Sequence, residues 1–553
     1  MPRNKTKYIF VSGGVISGIG KGNVAASIAL LLKQAGYSVT PIKFENYLNM
    51  DSGTINPIEH GDPFLCEDGT EADMDIGTYE KFLSEDMTRD NFVTMGQVYK
   101  AVIDRERRFE YNGEDVEAIP HITDEIISRI DNVARVKNAE IVVIELGGTA
   151  GEYQNLFYYE ASRIMTFKKP GDVLHIHVSY VPTPPHLGEP KTKPTQLSVR
   201  TLNSMGIQPD FIVARSEKML DKRRKDRLAL FCNVHPEDVV SNPDLKTVYE
   251  IPLVLQEQGI GTRIMEKFGL RKKEPDLKDW KKLVDKILVK KKKTIEIAIV
   301  GKYFGTGDYE LRDSYAALFD AISHASWEVG VDVKTHWVNS EEVEKKGVKE
   351  VIGKPDGIIV PIGWGERGVE GKITAASYAR EHKIPYLGLC YGMQLAVVAF
   401  ARDILGWKDA HTVECMPNCK HPVISLIPKQ KDLMERRAYG GTMRLGKWDA
   451  KIKPGTRAFE IYKKYDGFID EKTGLTSERH RHRYEFNNKY AEEIEKAGLT
   501  ISARSVVESL VEIIELPKDK HPFYLGTQGH PEYKSRPLKP HPVFLAFIEA
   551  CSQ

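Results

Sequence analysis

The stretch "YIFVSGGVISGIGKGNVAASIALLLKQAGYSVTPIKF", Tyr8–Phe44, contains a complete strand, turn, helix and strand pattern. An apolar strand leads into a glycine-rich turn, and the helix that follows has Val24, Ile28 and Leu32 on one stripe and ends near Gly36. In such a βαβ unit the backbone amides at the helix N-terminus face an anion. The stretch therefore predicts a parallel α/β sheet with a phosphate site in its first turn.

The glycine-rich turn departs from the usual phosphate-binding loop. The spacing from Gly14 to Gly20 is one residue too long, and Lys21 is followed by Gly22 instead of the Ser or Thr that holds magnesium. The glycines still allow backbone amides to converge on a phosphate, and Lys21 adds a positive charge at the helix start. We expect a phosphate cradle here. A tight strand-to-helix turn that binds nothing is the alternative.

Two acidic motifs are candidates for the missing magnesium ligands. The motif "EADMDIG" supplies Asp73 and Asp75, and "IVVIELGGT" places Glu145 at the carboxyl end of an apolar strand. An acidic residue at a strand end is more often a solvated or capping group. Next to a glycine-lysine loop, magnesium binding is favoured, because triphosphate chemistry requires the ion and its ligands are oxygen donors.

A second site is indicated in the other half of the chain. In "KIPYLGLCYGMQLAVVAFAR" a short strand leads through Cys390 into an apolar helix, whose N-terminus can stabilise a thiolate. Downstream, "LGTQGHPEY" places His530 and Glu532 two residues apart, so that on an extended segment the carboxylate can orient the imidazole. The pattern predicts a Cys-His-Glu triad, with a buried structural cysteine as the alternative for Cys390 alone.

Composition limits the other functions that the chain could have. Its 553 residues suggest at least two domains, and its 79 basic and 78 acidic residues give it no overall reason to bind nucleic acid or a membrane. The basic run "RHRHR", 479–483, is too short to track a nucleic-acid groove. Its six cysteines form no disulfide framework, the start lacks a signal-peptide pattern, and no apolar run approaches the ~18 residues of a membrane helix. These features predict a cytoplasmic protein.

The composition changes near residue 270. The segment "LRKKEPDLKDWKKLVDKILVKKKK" predicts a charged connecting helix that ends in four lysines, and "TIEIAIVGKY" then begins a new strand. We predict domains at 1–270 and 294–553 with a linker at 271–293. A solvated linker is favoured over polyanion binding for the lysine run. The motif "ECMPNCKH" offers Cys415, Cys419 and His421 without an obvious fourth zinc ligand, so these residues are expected to be structural or incidental.

Several motifs carry a resemblance to known families. "PYLGLCYGMQ" and "GHPE" resemble the class I, triad-type glutamine amidotransferases, and the N-terminal half is similar to P-loop amidoligases related to dethiobiotin synthetase. The CTP synthase family joins these modules in this order, and the chain resembles it further through "INPIEHGDPFLCEDG", "KTKPTQLSVRTLNSMGIQPD" and "ERHRHRYEFNN". The resemblance implies an α/β fold in both halves.

The resemblance also implies an activity. It is the ATP-dependent amination of UTP to CTP through 4-phosphorylated UTP, with ammonia released from L-glutamine and channelled between the domains. The resemblance further implies Mg²⁺ as cofactor, GTP as an activator, CTP as a product inhibitor and a homotetramer. Two alternatives remain open: an amidoligase acting on another acid or carbonyl, similar to the cobyrinic acid amidases, and a non-catalytic nucleotide-sensing or filament-forming protein.

Site residues follow from the resemblance motif by motif. The ATP site would contain Gly18, Ile19, Gly20, Lys21, Gly22, Asn23 and Asp75. Asp75 and Glu145 would hold magnesium, and Lys43 is similar to the second active-site lysine of the family. UTP or CTP would contact Ser17, Glu152, Tyr153, Gln154, Lys191, Thr192, Lys193, Pro194, Thr195, Gln196 and Arg227. Glutamine would contact Gly363, Tyr391, Gly392, Met393, Gln394, Glu414 and Arg481, with the Arg481 guanidinium on the substrate carboxylate.

The chain departs from the family pattern at several of these positions. The oxyanion strand usually reads Pro-Gly-Gly-Phe-Gly, but here it reads "PIGWG", with Ile362 and Trp364. A β-branched residue resists positive φ, so peptide flipping at Ile362 is expected to be harder. Gln154 stands where the family usually has an acid, and Arg227 stands where it often has a lysine. From its residues alone, "KTKPTQ" would be a solvated surface turn.

Overall fold

The structure is a computed structural model that describes residues 5–56, 61–302, 305–306, 309–310, 315–363, 365–436 and 440–553. The chain divides into two compact units. The first contains Met1–Met50 and Asp75–Leu288, and the second contains Asp51–Met74 and Val289–Gln553. By its contacts, the segment 51–74 thus belongs to the second unit, although it lies in the first half of the sequence. The domain limits 1–270, 271–293 and 294–553 stay predictions.

The strands and helices alternate along most of the chain. The strands are β1 (Lys7–Gly14), β2 (Val39–Glu45), β3 (Phe64–Leu65), β4 (Glu71–Ala72), β5 (Phe92–Thr94), β6 (Ile141–Leu146), β7 (Val173–Tyr180), β8 (Phe211–Ser216), β9 (Val239–Pro243), β10 (Thr294–Gly301), β11 (Gly305–Thr306), β12 (Tyr309–Glu310), β13 (Asp332–Asn339), β14 (Gly357–Val360), β15 (Tyr386–Leu389), β16 (His411–Thr412), β17 (Pro422–Leu426), β18 (Arg444–Ile452), β19 (Leu475–His482), β20 (Tyr484–Phe486), β21 (Thr500–Ser505), β22 (Val511–Glu515) and β23 (Tyr524–Thr527). The α-helices are α1 (Lys21–Gln34), α2 (Met74–Leu83), α3 (Met95–Arg107), α4 (Thr123–Val136), α5 (Leu156–Lys168), α6 (Lys193–Ser204), α7 (Lys222–Cys232), α8 (Ile251–Glu257), α9 (Ile260–Lys267), α10 (Lys278–Leu288), α11 (Ala316–Val329), α12 (Ser340–Lys346), α13 (Val348–Ile352), α14 (Val369–His382), α15 (Tyr391–Asp403), α16 (Lys431–Glu435), α17 (Arg457–Lys464), α18 (Ala491–Lys496) and α19 (Pro542–Cys551).

The first unit contains a seven-stranded sheet in the order β5-β2-β6-β1-β7-β8-β9. Every neighbouring pair of its strands is parallel. The strand β6, "IVVIEL", is buried at every position, as expected for a central strand that helices cover on both faces. Gly14, Lys43 and Glu145 lie at or near the carboxyl ends of three adjacent strands. This is the edge at which open α/β sheets bind ligands.

The second unit contains a nine-stranded mixed sheet in the order β13-β10-β14-β15-β23-β22-β21-β18-β19. The first five strands in this order are parallel to one another, and the remaining pairs are antiparallel. Leu389 at the end of β15 pairs with Thr527 at the end of β23. Because β15 precedes Cys390 and β23 precedes His530, the sheet brings both residues to one edge. The predicted α/β fold class, with a parallel sheet in the N-terminal half, is confirmed.

The predicted connecting helix is present as α10, and it packs within the first unit. Trp280, Leu283 and Val284 are buried on one of its faces. The indole Nε1 of Trp280 donates a hydrogen bond to the Tyr249 carbonyl at 2.8 Å, and the two rings are tilted with centroids 5.7 Å apart. Among the described residues, no helix is long and apolar enough to cross a membrane.

Candidate active sites

The glycine-rich turn between β1 and α1 requires glycine for two different reasons. Gly18 and Gly20 have φ values of +72° and +85°, which side chains disfavour, and Gly20 is the residue immediately before α1. At Gly14 the constraint is space, because an added Cβ would lie 1.7 Å from the Ser198 Oγ and 2.5 Å from the His177 Nε2. The turn thus places bare backbone at the N-terminus of α1, where it can bind an anion.

Lys21 is the first residue of α1 and extends along the turn. Its Nζ donates a hydrogen bond to the Gly148 carbonyl at 2.8 Å, in the segment that follows β6. Burial lowers the pKa of Lys21, and the neighbouring Lys43 lowers it further. The carboxylates of Glu145, Asp75 and Glu45 oppose both effects in part, and a bound phosphate would likewise favour the charged form of Lys21.

Lys43 joins the two predicted magnesium ligands. It pairs with Glu145 across β2 and β6, and its Nζ lies 2.8 Å from the Glu145 Oε1 and 2.6 Å from the Asp75 Oδ2. The Tyr79 hydroxyl donates to the other Glu145 oxygen at 2.6 Å. Burial raises the pKa of Glu145 more than Lys43 lowers it. At Asp75 burial acts in the same direction, but Lys43 together with Lys21 and Lys81 outweighs it and holds the pKa below its usual value.

The carboxylates of Asp75 and Glu145 also reach the start of α1. A Cβ added to Gly22 would lie 2.8 Å from the Asp75 Oδ1 and 3.5 Å from the Glu145 Oε2. The glycine thus leaves room beside two carboxylate oxygens, next to the turn that presents Lys21. Hard oxygen donors are the ligands that Mg²⁺ prefers, so this donor set fits the ion.

The predicted pyrimidine-binding residues lie mainly at the start of α6. This helix begins at Lys193, with Pro194 in its first turn where a missing N–H costs nothing, so "KTKPTQ" is a helix start and the solvated turn suggested by its residues alone is wrong. The Ser179 Oγ donates to the buried Thr195 Oγ1 at 3.0 Å, and the Gln196 Nε2 donates to the Thr192 Oγ1 at 3.0 Å.

The basic residues around this segment have local partners. The Lys193 Nζ and the Arg227 guanidinium both lie over the Phe231 ring, 5.6 Å and 5.9 Å from its centroid. Lys191 is paired with Glu189. The cationic groups of Lys191, Lys193 and Arg227 therefore remain near the protein surface beside α6.

The remaining nucleotide candidates follow β6 or lie in the glycine-rich turn. The Thr149 backbone N–H donates to the Glu152 Oε1 at 2.7 Å, so Glu152 stabilises the turn after Glu145. Tyr153 and Gln154 belong to a 3₁₀ turn, Tyr153–Asn155, and Tyr153 is 90% exposed. Ser17 is exposed in the glycine-rich turn. These side chains are accessible to a ligand.

Cys390 lies on the strained turn between β15 and α15. Its φ is +49° and its ψ is −99°, values that a non-glycine residue rarely adopts. Two glycines allow the close packing of this turn: a Cβ on Gly392 would lie 1.9 Å from the Val360 carbonyl oxygen, and one on Gly388 would lie 2.8 Å from the Gly392 backbone. The thiol is fully buried, and Cys390 is the residue immediately before the N-terminus of α15.

His530 and Glu532 form a buried pair beside this cysteine. The His530 Nδ1 and the Glu532 Oε1 are 2.7 Å apart. Burial opposes protonation of the imidazole, but Glu532 and the Cys390 thiolate outweigh it and raise the pKa of His530 to about 10. The arrangement places a strongly basic imidazole beside the Cys390 thiol, which is the pairing that activates a cysteine nucleophile. The Gln528 Nε2 donates to the Cys390 Sγ at 3.5 Å, a contact that the sequence analysis missed.

A cavity of about 540 Å³ is lined by two of the predicted glutamine-binding residues, Gln394 and Glu414. Its walls are formed by Gly53, Thr54, Gln394, Glu414, Met434, Met443, His482, Arg483 and Tyr484. The Gln394 Nε2 donates to the Tyr484 carbonyl at 2.7 Å, and the Glu414 Oε1 accepts from the Gly365 N–H at 2.9 Å. Tyr391, Gly392 and Met393 are buried in the first turn of α15. Trp364 lies outside the described residues.

Comparison with known proteins covers both halves. A family model described as the CTP synthase N-terminus matches residues 7–270, and one described as class-I glutamine amidotransferase matches residues 310–550. The CTP synthase of Caldanaerobacter subterraneus subsp. tengcongensis is 48% identical over 98% of this chain and 98% of its own length. The CTP synthases of Pyrococcus furiosus and Bacillus velezensis are 48% and 46% identical over 99% of this chain and over 98% and 99% of their own lengths. The chain belongs to the CTP synthase family.

In this member of the CTP synthase family, Arg481 is already paired with acidic residues of its own unit. Its Nε donates to the Glu71 Oε1 at 2.5 Å, and its Nη1 lies 3.3 Å from the Asp62 Oδ1. Burial opposes the charge of the guanidinium, but the two carboxylates outweigh it and raise its pKa. The role of Arg481 on the glutamine carboxylate stays a prediction. Sequence analysis missed Glu71 and Asp62, because they are more than 400 positions away along the chain.

Sequence analysis also missed a third acid, Glu45. Its Oε1 lies 3.2 Å from the Lys43 Nζ. The available signal was its spacing: Lys43 and Glu45 are two residues apart on β2, so their side chains leave the same face. In this CTP synthase family member Lys43 thus contacts three carboxylates, those of Glu45, Asp75 and Glu145.

A buried charged network lies on β18, β19 and β22 of the second unit. The Glu512 carboxylate accepts from the Arg444 Nη2 at 2.7 Å and lies 2.6 Å from the His480 Nε2. Glu485 lies near this network, and burial raises its pKa to about 7. Arg444 lowers the pKa of Glu485, but the negative charge of Glu512 offsets part of that effect. Glu485 is therefore protonated in the folded protein at pH values where it is ionised in the unfolded chain.

Replacing Glu485 by glutamine is expected to stabilise the protein above neutral pH. An ordinary glutamate ionises near pH 4.5, whereas the folded protein retains the proton up to about pH 7. The folded state therefore loses stability as the pH rises from 4.5 to 7, and Glu485→Gln removes that loss. Its free energy of unfolding should exceed that of the wild type by up to about 3 kcal/mol at pH 8 and by much less at pH 5. Denaturant unfolding at both pH values measures this.

The exposed Glu493 on α18 supplies a matched control. Glu493→Gln should change stability by at most about 0.5 kcal/mol at either pH. An equal gain for Glu485→Gln at pH 5 and pH 8 would contradict the raised pKa.

Proposed function

We propose that the chain synthesises CTP from UTP, ATP and glutamine, with a different chemistry in each of its two units. The second unit releases ammonia from glutamine at Cys390, and the first unit activates the uracil ring at the glycine-rich turn. The observation that carries the proposal is the buried His530–Glu532 pair beside a cysteine on a strained turn, in a chain that matches CTP synthases over 98% of its length.

Glutamine hydrolysis begins with the thiolate of Cys390. It attacks the amide carbon of glutamine, and the oxygen that becomes negative is stabilised by the backbone N–H groups of Gly363 and Tyr391. His530 gives its proton to the departing nitrogen, and neutral ammonia leaves a thioester behind. The neutral imidazole then activates a water that hydrolyses the thioester to glutamate. Glu532 keeps the imidazole oriented and stabilises its charged form throughout.

Glutamine itself is held by the residues that line the cavity. Gln394 and Glu414 contribute polar groups to its walls, and Arg481 carries the positive charge predicted to meet the substrate carboxylate. Glu71 and Asp62 fix the position of that guanidinium. We infer that the substrate carboxylate binds beside the Arg481 guanidinium.

Activation of UTP takes place in the first unit. The amides of Gly18–Gly22 and the ammonium of Lys21 bind the ATP phosphates, and α6 with Ser17 and Arg227 positions the pyrimidine nucleotide. The ammonium of Lys43 stays next to the phosphoryl group during its transfer. Asp75 and Glu145 are the residues that would hold Mg²⁺, which when bound shields the phosphate charge. Phosphorylation makes the uracil O4 a good leaving group, ammonia adds at C4, and phosphate departs.

Ammonia must remain unprotonated between the two chemistries. Ammonium has no lone pair and cannot attack C4, so release into bulk water near neutral pH would waste most of the nitrogen. We infer that ammonia is passed on before it equilibrates with solvent. Activation by GTP, inhibition by CTP, assembly into a homotetramer and a cytoplasmic location are further proposals that rest on the family resemblance.

The activity is tested directly by UTP turnover. Purified protein is mixed with UTP, ATP and Mg²⁺, together with either glutamine or ammonium chloride, and conversion of uracil to cytosine is followed by absorbance. We expect CTP formation with both nitrogen sources. Turnover of ATP without change in UTP, with an organic acid as the acceptor instead, would contradict the proposal and indicate another amidoligase.

A further inference from the structure

The carbonyl oxygen of Ile362 lies between two side-chain donors. The Lys372 Nζ is 3.2 Å from it and the Tyr315 hydroxyl is 3.0 Å from it. The same Lys372 amine donates to the preceding carbonyl, that of Pro361, at 2.9 Å. Lys372 is fully buried and Tyr315 is 4% exposed, so water does not compete for these contacts. The two side chains therefore hold one edge of the Ile362–Gly363 peptide.

Holding that carbonyl also fixes the next N–H. A trans peptide unit is planar, and its C=O and N–H point in opposite directions. When the Ile362 carbonyl points at Lys372 and Tyr315, the Gly363 N–H must point away from them. Gly363 has a φ of +146°, and an added Cβ would lie 2.8 Å from the Lys372 Nζ, so glycine alone fits at this position.

We propose that Lys372 and Tyr315 are positioning residues for glutamine hydrolysis, because they hold the Ile362–Gly363 peptide with its N–H free to bind the oxyanion. This inference rests on the proposed role of Gly363. In the opposite orientation the peptide would present the Ile362 oxygen to the same place, where a carbonyl repels the developing negative charge instead of stabilising it. Removing the two donors should therefore slow hydrolysis.

The surroundings of Lys372 match a role as hydrogen-bond donor. Burial lowers its pKa well below the usual value, and Lys302 lowers it further. An amine can donate to the Pro361 and Ile362 carbonyls in either protonation state, so the positioning role does not depend on its charge. Its Nζ also lies over the ring of Tyr391, 5.6 Å from the centroid, and Tyr391 supplies the other proposed oxyanion N–H. Lys372 thus lies near both residues that are proposed to supply the oxyanion N–H groups.

A charge effect on Cys390 is the competing explanation, and alkylation of the thiol separates the two. Iodoacetamide is displaced by the thiolate without forming an oxyanion, so its rate reports the thiolate population and not the oxyanion site. If Lys372 acts by positioning, Lys372→Met leaves the pH profile of alkylation unchanged. If Lys372 acts through charge, the profile shifts to higher pH and the shift accounts for the lost activity.

The test compares Lys372→Met and Tyr315→Phe with the wild type. We expect glutamine-dependent kcat to fall on the order of 100-fold for Lys372→Met and on the order of 10-fold for Tyr315→Phe, as for loss of an oxyanion donor or part of its support. The KM for glutamine and the ammonium-driven turnover should stay within about twofold. Tyr378→Phe is the control. Tyr378 lies on α14 like Lys372, but its hydroxyl donates to the Gly353 carbonyl at 2.9 Å and not to the Ile362 carbonyl.

Three results would overturn the inference. They are an unchanged kcat in both variants, a raised basal rate of glutamine hydrolysis, and a shift of the alkylation profile that explains the loss. If Lys372→Met also loses ammonium-driven turnover because it folds poorly, Tyr315→Phe decides by the same criteria. Failure of this inference can be distinguished from failure of the proposed function. If the proposed function is wrong, Cys390→Ala would keep hydrolysing glutamine. If only the positioning role is wrong, Cys390→Ala would still lose glutamine hydrolysis.

Discussion

Replacing Cys390 by alanine is expected to abolish CTP formation from glutamine while CTP formation from ammonium continues. The thiolate sulfur is the nucleophile that displaces ammonia from the glutamine carbon in the proposed mechanism, so its loss should reduce glutamine-dependent kcat at least about 1000-fold. The ammonium-driven reaction needs only the first unit, and Cys390 belongs to the second. Turnover of UTP with each nitrogen source, measured at equal protein concentration, gives both values.

Cys551→Ala is the matched control for this experiment. Cys551 is a second buried thiol of the same unit, in the last turn of α19. Its replacement should leave glutamine use within about twofold of the wild type, because it removes a small side chain from the core and no reacting group. Equal loss of both activities in Cys390→Ala, or retained glutamine hydrolysis, would refute the assignment of the nucleophile.

Replacing Lys21 by alanine is expected to stop CTP formation from both nitrogen sources. The side chain supplies the cation at the start of α1, and charge-assisted hydrogen bonds to phosphate are strong in a buried site. We expect a loss of at least about 100-fold, since binding and positioning of the transferred phosphate both depend on it. Alkylation of Cys390 should proceed at the wild-type rate, which shows that the second unit is intact.

Lys33→Ala provides the control in the same helix. Lys33 lies in the last turn of α1, where its Nζ is 2.5 Å from the Glu85 Oε1 at a solvent-accessible position. An exposed ion pair of this kind contributes little, so activity should stay within about twofold of the wild type. A Lys21→Ala protein that still converts UTP at an appreciable rate would show that the glycine-rich turn is not the phosphate site.

Those parts of both sites that depend on local sequence could be predicted. The glycine-rich turn before α1 and the cysteine turn before α15 each combine a strand, a turn with glycines and a helix within about twenty residues, so spacing alone indicates their geometry. His530 and Glu532 are two residues apart, and they are in contact at 2.7 Å as predicted, but Glu532 lies in a 3₁₀ turn, Pro531–Lys534, and the extended segment expected there is wrong. Local patterns of this kind survive folding because the chain itself holds the residues together.

The contacts that were missed join distant parts of the sequence. Glu71 and Arg481 are separated by 410 positions, and no property of either residue alone predicts that they meet. The pairing of Lys43 with Glu145 depends on the register of β2 and β6, which is set by the whole sheet. The residues of this segment alone did not predict the start of α6, because a proline such as Pro194 is as typical of a loop as of the first turn of a helix.

The resemblance to the CTP synthase family supplied what spacing could not, and family membership is confirmed by relatives that match nearly the entire chain. The individual residue roles remain proposals. The structure adds physical content to several of them, above all the Lys43 contacts to Asp75 and Glu145 and the Lys372 contact to the Ile362 carbonyl. These contacts turn assignments by resemblance into testable statements about charge and hydrogen bonding.

The central claim is that nitrogen freed at Cys390 is the nitrogen that enters CTP, and isotope dilution tests it most directly. Turnover is run with glutamine labelled with ¹⁵N in its amide, in the presence of an excess of unlabelled ammonium, and the CTP product is analysed by mass spectrometry. The account predicts CTP whose ¹⁵N content stays far above that of the ammonium pool. CTP with the isotopic composition of the pool would show that the two chemistries communicate only through solvent, and would contradict it.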